Sequence, residues 1–137
     1  MPGLDETDLS TESEVTTKVS PRPVAETAAR LASMLAAKGV RLFATIDQRA
    51  AAADVGLELR ETVVVLFGNP AAGTPVMAAA PLAALDLPLK VVIWDDGGQT
   101  KVSYYSPAAI AAWHELTPEL AAGLAAIDPL TDALVAP

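Results

Sequence analysis

Residues 62–75, which read TVVVLFGNPAAGTP, are the stretch that decides the fold. The six residues at its start lack any polar alternation, which is typical of a strand that lies centrally in a sheet or is covered on both faces. The glycines and prolines that follow predict a turn. After the turn, Thr74 is placed to cap a helix with Pro75 at its first position, and we expect the body of that helix to run from Val76 to Leu85.

Four further strands are predicted outward from this stretch, at residues 14–20, 40–46, 89–94 and 101–105. Residues 95–98 read DDGG, a hairpin turn that requires positive φ. The hairpin makes at least one strand pair antiparallel, which argues against a purely parallel sheet. Residues 101–105 return from it, and we expect them to form an edge strand.

Helices are predicted between most of the strands. Apolar residues recur from Val24 to Leu35 at spacings of four and three, which is one face of an amphipathic helix. A short alanine-rich helix is expected from Gln48 to Val55. Two later helices are predicted from N-cap and proline pairs, Ser106-Pro107 and Thr117-Pro118. The element order is β-α-β-α-β-α-β-β-α-α.

The charge is unevenly distributed along the 137 residues. The formal net charge is −8, and residues 1–14 hold five acidic side chains and no basic one. The other 12 acids and 9 bases leave a net charge of only −3. An acidic chain with 4% aromatic residues has little to offer a polyanion. We therefore expect no nucleic acid and no anionic membrane among its partners.

The residue types that most often carry cofactors are scarce. The chain has no cysteine and one histidine, His114. This excludes disulfides, thiol catalysis, iron–sulfur clusters and cysteine zinc sites. A protein-only zinc site needs three or four ligands, so we predict no metal and no cofactor.

One apolar stretch is long enough to raise the question of a membrane span. Residues 62–85 hold no charged side chain over 24 residues. Three prolines and two glycines interrupt them, so a strand, a turn and a short helix explain the stretch better. No signal peptide is visible, and we expect a cytoplasmic protein. Residues 1–13 are predicted to be a disordered acidic leader and residues 14–137 a single domain.

Six short motifs follow one another along the chain. They are ID at 46–47, GLELR at 56–60, LFGNP at 66–70, GTP at 73–75, DLPLK at 86–90 and YYSP at 104–107, followed by His114. Together they resemble the bacterial and archaeal domain-of-unknown-function family 302 (DUF302), over roughly residues 15–135. No single motif is specific, but their order is.

The resemblance implies an α+β fold: a single curved, mainly antiparallel sheet of about five strands with helices packed on one face, similar to the TATA-binding-protein-like group. It also implies a homodimer, and it implies no established activity. Family members often read Ile-Asp-His where this chain reads Ile46-Asp47-Gln48. That difference argues against an acid–base role here.

The loop at 68–74 is the sharpest candidate site. A strand, a glycine-rich turn and a helix N-terminus can bind an anion through backbone amides, which makes Gly68, Asn69, Gly73 and Thr74 candidate ligand-binding residues. The loop is not a nucleotide-binding loop, because the required lysine is missing and Pro75 removes an amide. The alternative is structural: the glycines permit a tight turn and Thr74 caps the helix.

Candidate catalytic residues come from family position. Asp47, His114 and Tyr104 form an acid–base set if the fold brings them together near the 68–74 loop. The structural alternatives are that Asp47 caps a helix and that His114 makes a backbone or carboxylate hydrogen bond. Paired with Asp47, Asp86 could also do acid–base work, but its simpler role is to close a turn.

Three functions remain open on the sequence. The first is a homodimeric, non-catalytic module that binds a small apolar or amphipathic ligand or a protein partner, which the few titratable groups favour. The second is an enzyme that uses Asp47, His114 and Tyr104. The third is a purely structural dimer.

Overall fold

The computed structural model describes residues 14–137, and the predicted leader lies outside them. The strands are β1 (Val15–Ser20), β2 (Arg41–Asp47), β3 (Thr62–Gly68), β4 (Leu89–Asp96) and β5 (Gln99–Tyr105). The helices are α1 (Val24–Ala37), α2 (Gln48–Asp54), α3 (Pro70–Ala79), α4 (Pro107–Trp113), α5 (Pro118–Ala122) and α6 (Ile127–Leu134). A 3₁₀ helix (Pro81–Asp86) lies between α3 and β4.

The strands form one sheet in the order β1-β5-β4-β3-β2, and all neighbouring pairs are antiparallel. The β4–β5 hairpin turns through Gly97 and Gly98, whose φ angles are 62° and 96°. Glycine adopts these values without the steric cost that a side chain would add. The predicted α+β fold with a mainly antiparallel sheet is confirmed.

The core lies between one face of the sheet and the helices. Alternate residues of the three inner strands point to this face and are buried: Val65, Phe67, Val91, Ile93, Val102 and Tyr104. Leu31 and Leu35 of α1 and Leu134 of α6 pack against them and are fully buried. Each such aliphatic side chain stabilises the fold by about 1.5–3 kcal/mol. Val63 and Leu89 also pack against this core, and the residues that alternate with these along the inner strands face the other side of the sheet.

The helix after β3 begins earlier than predicted. We expected Thr74 to cap it and Pro75 to start it, but α3 begins at Pro70 and holds Pro75 inside. Asn69 is the N-cap, because its side-chain oxygen accepts the N–H of Ala71 at 3.0 Å. Asparagine is at least as good an N-cap as threonine, and proline at the next position is pre-set for the first turn. The expected turn is therefore mostly helix.

The position of the last strand in the sheet was also predicted wrongly. We expected residues 101–105 at an edge, but β5 lies inside the sheet, since β1 pairs along it from Val15–Tyr105 to Ser20–Thr100. By contrast, the predicted N-caps at Asp47, Ser106 and Thr117 are confirmed. Among residues 14–137, no helix is long and apolar enough to cross a membrane.

Candidate functional site

A cavity of about 260 Å³ opens at the end of the sheet, where β3 leads into α3 and β4 begins. All four residues named as ligand-binding candidates line it: Gly68, Asn69, Gly73 and Thr74. Among residues 14–137, those that line it carry no charge, and apart from the side chains of Asn69 and Thr74 these lining side chains are apolar. Burying a charge without a partner is costly, so the interior suits an uncharged group.

The N-terminus of α3 has no open amide in its first turn. The backbone oxygen of Asn69 accepts the N–H groups of Ala72 and Gly73 at 2.9 Å each, its side chain accepts that of Ala71, and Pro70 has none. An anion would have to displace these bonds. Because its oxygen faces the helix, Asn69 offers its amide N–H groups to other partners.

A β-bulge places an aromatic ring at this cavity. The register between β2 and β3 shifts between Leu42 and Ala44, so Phe43 has no partner residue on β3. Bulges commonly re-aim a side chain next to a functional site. The ring lines the cavity, with its Cε2 atom 3.8 Å from where a Cβ on Gly68 would lie, although Phe43 remains 47% exposed.

An arginine stacks on that ring. The guanidinium carbon of Arg41 lies 5.6 Å from the centroid of Phe43, which is a cation–π contact. No carboxylate among residues 14–137 lies within 4.0 Å of the Arg41 guanidinium. Within the described part of the chain, Arg41 therefore brings a positive charge without an acidic partner to the border of the cavity.

Glycine leaves room in the cavity wall. A Cβ built on Gly73 would lie 3.9 Å from Leu87 Cδ1 and 4.0 Å from Met77 Cε, which is ordinary van der Waals contact. One on Gly68 would lie 4.0 Å from Pro88 Cβ. At both positions a Cβ would therefore meet neighbouring side chains at ordinary contact distance and no backbone within 4 Å.

The three candidate catalytic residues take separate partners. Asp47 accepts the N–H of Ala50 as the cap of α2, and no hydrogen bond in the described residues joins it to His114 or Tyr104. Asp47 and Tyr104 lie on strands β2 and β5, which are three strand spacings apart, or about 14 Å. Of the three, none lines the cavity.

His114 pairs instead with Asp86. The two side chains are only 11% and 20% exposed, and Nε2 of His114 lies 2.6 Å from Oδ2 of Asp86. This contact ties the end of α4 to the end of the 3₁₀ helix, just before the cavity residue Leu87. Of the two hydrogen-bond partners expected for His114, a backbone group or a carboxylate, the carboxylate is present, but the sequence did not indicate Asp86 as that partner.

Tyr104 belongs to a polar cluster beneath α6. Its hydroxyl donates to Oδ1 of Asp128 at 2.6 Å and accepts from Thr131 at 3.1 Å, while Lys18 bonds Thr131 and pairs with Asp132. Burial, together with the hydrogen bond to Asp128, raises the pKa of Tyr104 above its ordinary value. Burial lowers the pKa of Lys18, but its contacts with Tyr104 and Asp132 outweigh this, and the pKa is raised. The cluster anchors α6 on the sheet.

Metal ligation finds no support in residues 14–137, where no group of three or more His, Asp or Glu side chains is placed to hold an ion. Sequence reasoning missed Phe43, Met77, Leu87 and Leu124 as cavity residues. A lone aromatic in a strand and scattered aliphatic residues carry no local signal of a shared cavity.

Comparison with known proteins identifies the family. The family model described as Domain of unknown function DUF302 matches residues 15–134. The chain belongs to the DUF302 family. A crystal structure of an uncharacterized conserved DUF302 protein from Bacillus stearothermophilus superposes with a TM-score of 0.75, covers 89% of this chain and 95% of that one, and is 22% identical. At that identity the likeness shows the fold.

Three curated relatives carry a membrane-protein name. Fluoride-specific ion channel FluC 1 of Brucella suis biovar 1 (strain 1330) is 36% identical over 106 residues, which is 77% of this DUF302 chain and 42% of the relative. FluC 1 of Brucella abortus biovar 1 (strain 9-941) and FluC 2 of Brucella melitensis biotype 1 (strain ATCC 23456 / CCUG 17765 / NCTC 10094 / 16M) match over 39% of their length. The chain thus spans about two fifths of these relatives.

Proposed function

We propose that this DUF302 domain is a homodimeric, non-catalytic binding module, and that the cavity beside α3 takes a small apolar or amphipathic ligand. The observation that carries the proposal is the uncharged cavity of about 260 Å³ on which the four candidate residues converge. Ligand sites are usually concave and apolar with a few polar groups, and Asn69 and Thr74 supply those groups here. The absence of cysteine is compatible with a cytoplasmic location.

The enzyme alternative has less support. Catalysis needs the acid, the base and the substrate within hydrogen-bonding reach. Asp47, His114 and Tyr104 are each engaged elsewhere, and none lines the cavity. No metal or cofactor has a part in the proposal.

The segment from β2 to β3 supports the homodimer. Helix α2 has no buried side chain, and the β2 edge and the loop after α2 expose large apolar residues: Leu42, Ile46, Val55, Leu57 and Leu59. A second copy related by a two-fold axis would cover this patch with its own equivalent. A stable interface needs about 800 Å² from each partner, which such a segment is long enough to supply.

Light scattering tests the dimer. We expect twice the mass of one chain at micromolar concentration, and a Leu57→Lys variant of single-chain mass. Leu85→Lys is the matched control, because Leu85 is 77% exposed on the 3₁₀ helix, outside the patch. A single-chain mass for the unsubstituted protein would refute the dimer. If Leu85→Lys dissociates the dimer and Leu57→Lys does not, the interface lies on the 3₁₀ helix and not on the proposed patch. A dimer that binds no ligand would favour the purely structural alternative.

The cavity is tested with a neutral probe. Octanamide should shift the backbone amide resonances of Gly68 and Gly73, while glycines away from the cavity, such as Gly97, stay unchanged. Saturation at micromolar to millimolar concentration supports the proposal. Unchanged resonances, or shifts at Gly97 and not at Gly73, would contradict it.

The curated relatives favour a second candidate, a protein partner. Their matched region resembles a chain whose described residues hold no membrane-spanning helix, so we infer that their channel segments lie in the other three fifths. We propose that this chain docks on a fluoride channel of that kind. The test measures by biolayer interferometry whether the purified chain binds the Brucella suis channel from which the matched segment has been deleted. Equal binding to an unrelated membrane protein would refute the candidate.

A further inference from the structure

The border of the cavity is not neutral, although its interior is. We propose that the ligand is an amphipathic carboxylate, with its apolar tail in the cavity and its carboxylate on Arg41. This inference rests on the proposed ligand-binding function and names the chemistry of the ligand.

The interior of the cavity determines the chemistry and the size of the ligand's tail. Without a charged residue in its walls, the cavity cannot hold an ionised group at acceptable cost, so any charge on the ligand must lie at the border. A cavity of ~150 Å³ holds benzene, and by the same scale 260 Å³ holds roughly ten non-hydrogen atoms. A chain of about eight carbons or a two-ring aromatic group fits.

The border decides what the head is. Phe43 forms part of the wall, and Arg41 stacks on its ring with the guanidinium carbon 5.6 Å from the centroid. The guanidinium of Arg41 lies over the ring of Phe43, and its N–H groups stay available, because no acid among the described residues pairs with it. A planar fork of donors matches a carboxylate in geometry and in charge.

A carboxylate suits this border better than a phosphate. A phosphate monoester carries a charge of about −1.5 to −2 and needs several strong donors. The first-turn amides of α3, which would be the natural source, are already bonded to Asn69. One arginine, with the side-chain amide of Asn69 and the hydroxyl of Thr74 on the cavity wall, is enough for a single negative charge.

The experiment compares three molecules with the same tail: octanoate, octanamide and octylammonium, measured by calorimetry and by the amide shifts of Gly68 and Gly73. We expect octanoate to bind about 5- to 10-fold more tightly than octanamide at low salt, and octylammonium most weakly. This preference should shrink in 0.5 M NaCl, since exposed charge pairs are screened.

Arg41→Gln should abolish the preference by weakening octanoate binding to about the level of octanamide binding. Arg60→Gln is the matched control, because Arg60 is exposed, lies outside the cavity and should not affect any probe. If octanoate and octanamide bind equally, or if Arg41→Gln keeps the preference, the carboxylate inference falls while the cavity proposal stands. If octylammonium binds most tightly, the inference is likewise overturned. If no probe binds, the proposed function fails with it.

Discussion

Replacement of Gly73 by leucine should change the cavity and leave the rest of the fold unchanged. Gly73 is the fourth residue of α3, and its missing side chain is part of what keeps the cavity open. A Cβ there meets only Leu87 Cδ1 and Met77 Cε, at 3.9 and 4.0 Å. Gly73→Leu should therefore fold normally and fill the cavity with its own side chain.

Two effects set the expected stability. Glycine inside a helix costs about 0.8–1 kcal/mol relative to a good helix former. A leucine side chain that is half sheltered by the cavity adds about 1 kcal/mol, at ~0.8 kcal/mol per buried methylene. The free energy of unfolding should rise by about 1–2 kcal/mol, and the melting temperature by about 4 °C for each kcal/mol in a domain of this size.

Urea unfolding and probe binding are measured together. Gly73→Leu should gain stability and lose octanamide binding by at least tenfold. Gly73→Ala is the matched control: it keeps the helix gain of about 1 kcal/mol but leaves most of the cavity open, so it should still bind. If Gly73→Leu lowers the free energy of unfolding, the cavity has no room for the leucine side chain. A stabilised Gly73→Leu that binds as well as the unsubstituted chain would show that the ligand lies elsewhere.

Three further predictions concern polar contacts that join distant segments of the fold. Tyr104→Phe should cost about 1–2 kcal/mol in urea unfolding, because it removes the hydroxyl that donates to Asp128. Because the pKa of Tyr104 is raised in the folded state, its contribution to the free energy of unfolding is full below pH 10 and is lost as pH rises through the folded-state pKa. Tyr104→Phe should therefore cost less stability above pH 10 than below it. An equal cost at both pH values would contradict this. Asp86→Ala should lower the free energy of unfolding by about 1–3 kcal/mol, since it leaves the half-enclosed His114 without its partner; an unchanged melting temperature would rule that out. Arg22→Gln should cost about 1–2 kcal/mol in the same assay, because the guanidinium donates two hydrogen bonds to carbonyls at the end of α6, and a loss under 0.3 kcal/mol would show those bonds to be unimportant.

Local chemistry made much of the fold predictable. All five strands and the caps at Asp47, Ser106 and Thr117 follow from signals within a few residues. The start of α3 was predicted wrongly, and the reason is also local. Asn69-Pro70 and Thr74-Pro75 carry the same signature of an N-cap residue followed by proline. The sequence offers two starts, and the structure takes the earlier one.

Long-range pairing was out of reach. Besides β4, the neighbour of β5 is β1, whose paired residues lie 80 to 90 residues earlier, and nothing local in residues 101–105 reveals this pairing. The pairing of Asp86 with His114 bridges 28 residues. The cavity draws on segments from Phe43 to Leu124, so a sequence pattern marks only its glycine-rich part.

Two departures from regular structure lie in the segments that border the cavity, although of the two only Phe43 is itself a lining residue. Phe43 sits in a bulge that interrupts the β2–β3 ladder, and Pro75 sits inside α3, where it forfeits a helix hydrogen bond. Both are costs that a sequence selected for stability alone would avoid, and Gly73 adds a third in the same helix. A Cβ at position 73 would make only ordinary van der Waals contacts, so glycine is not required there to avoid a clash. The open space, the re-aimed ring and Arg41, which has no acidic partner among residues 14–137, are the features that support the proposed ligand with an apolar tail and an anionic head.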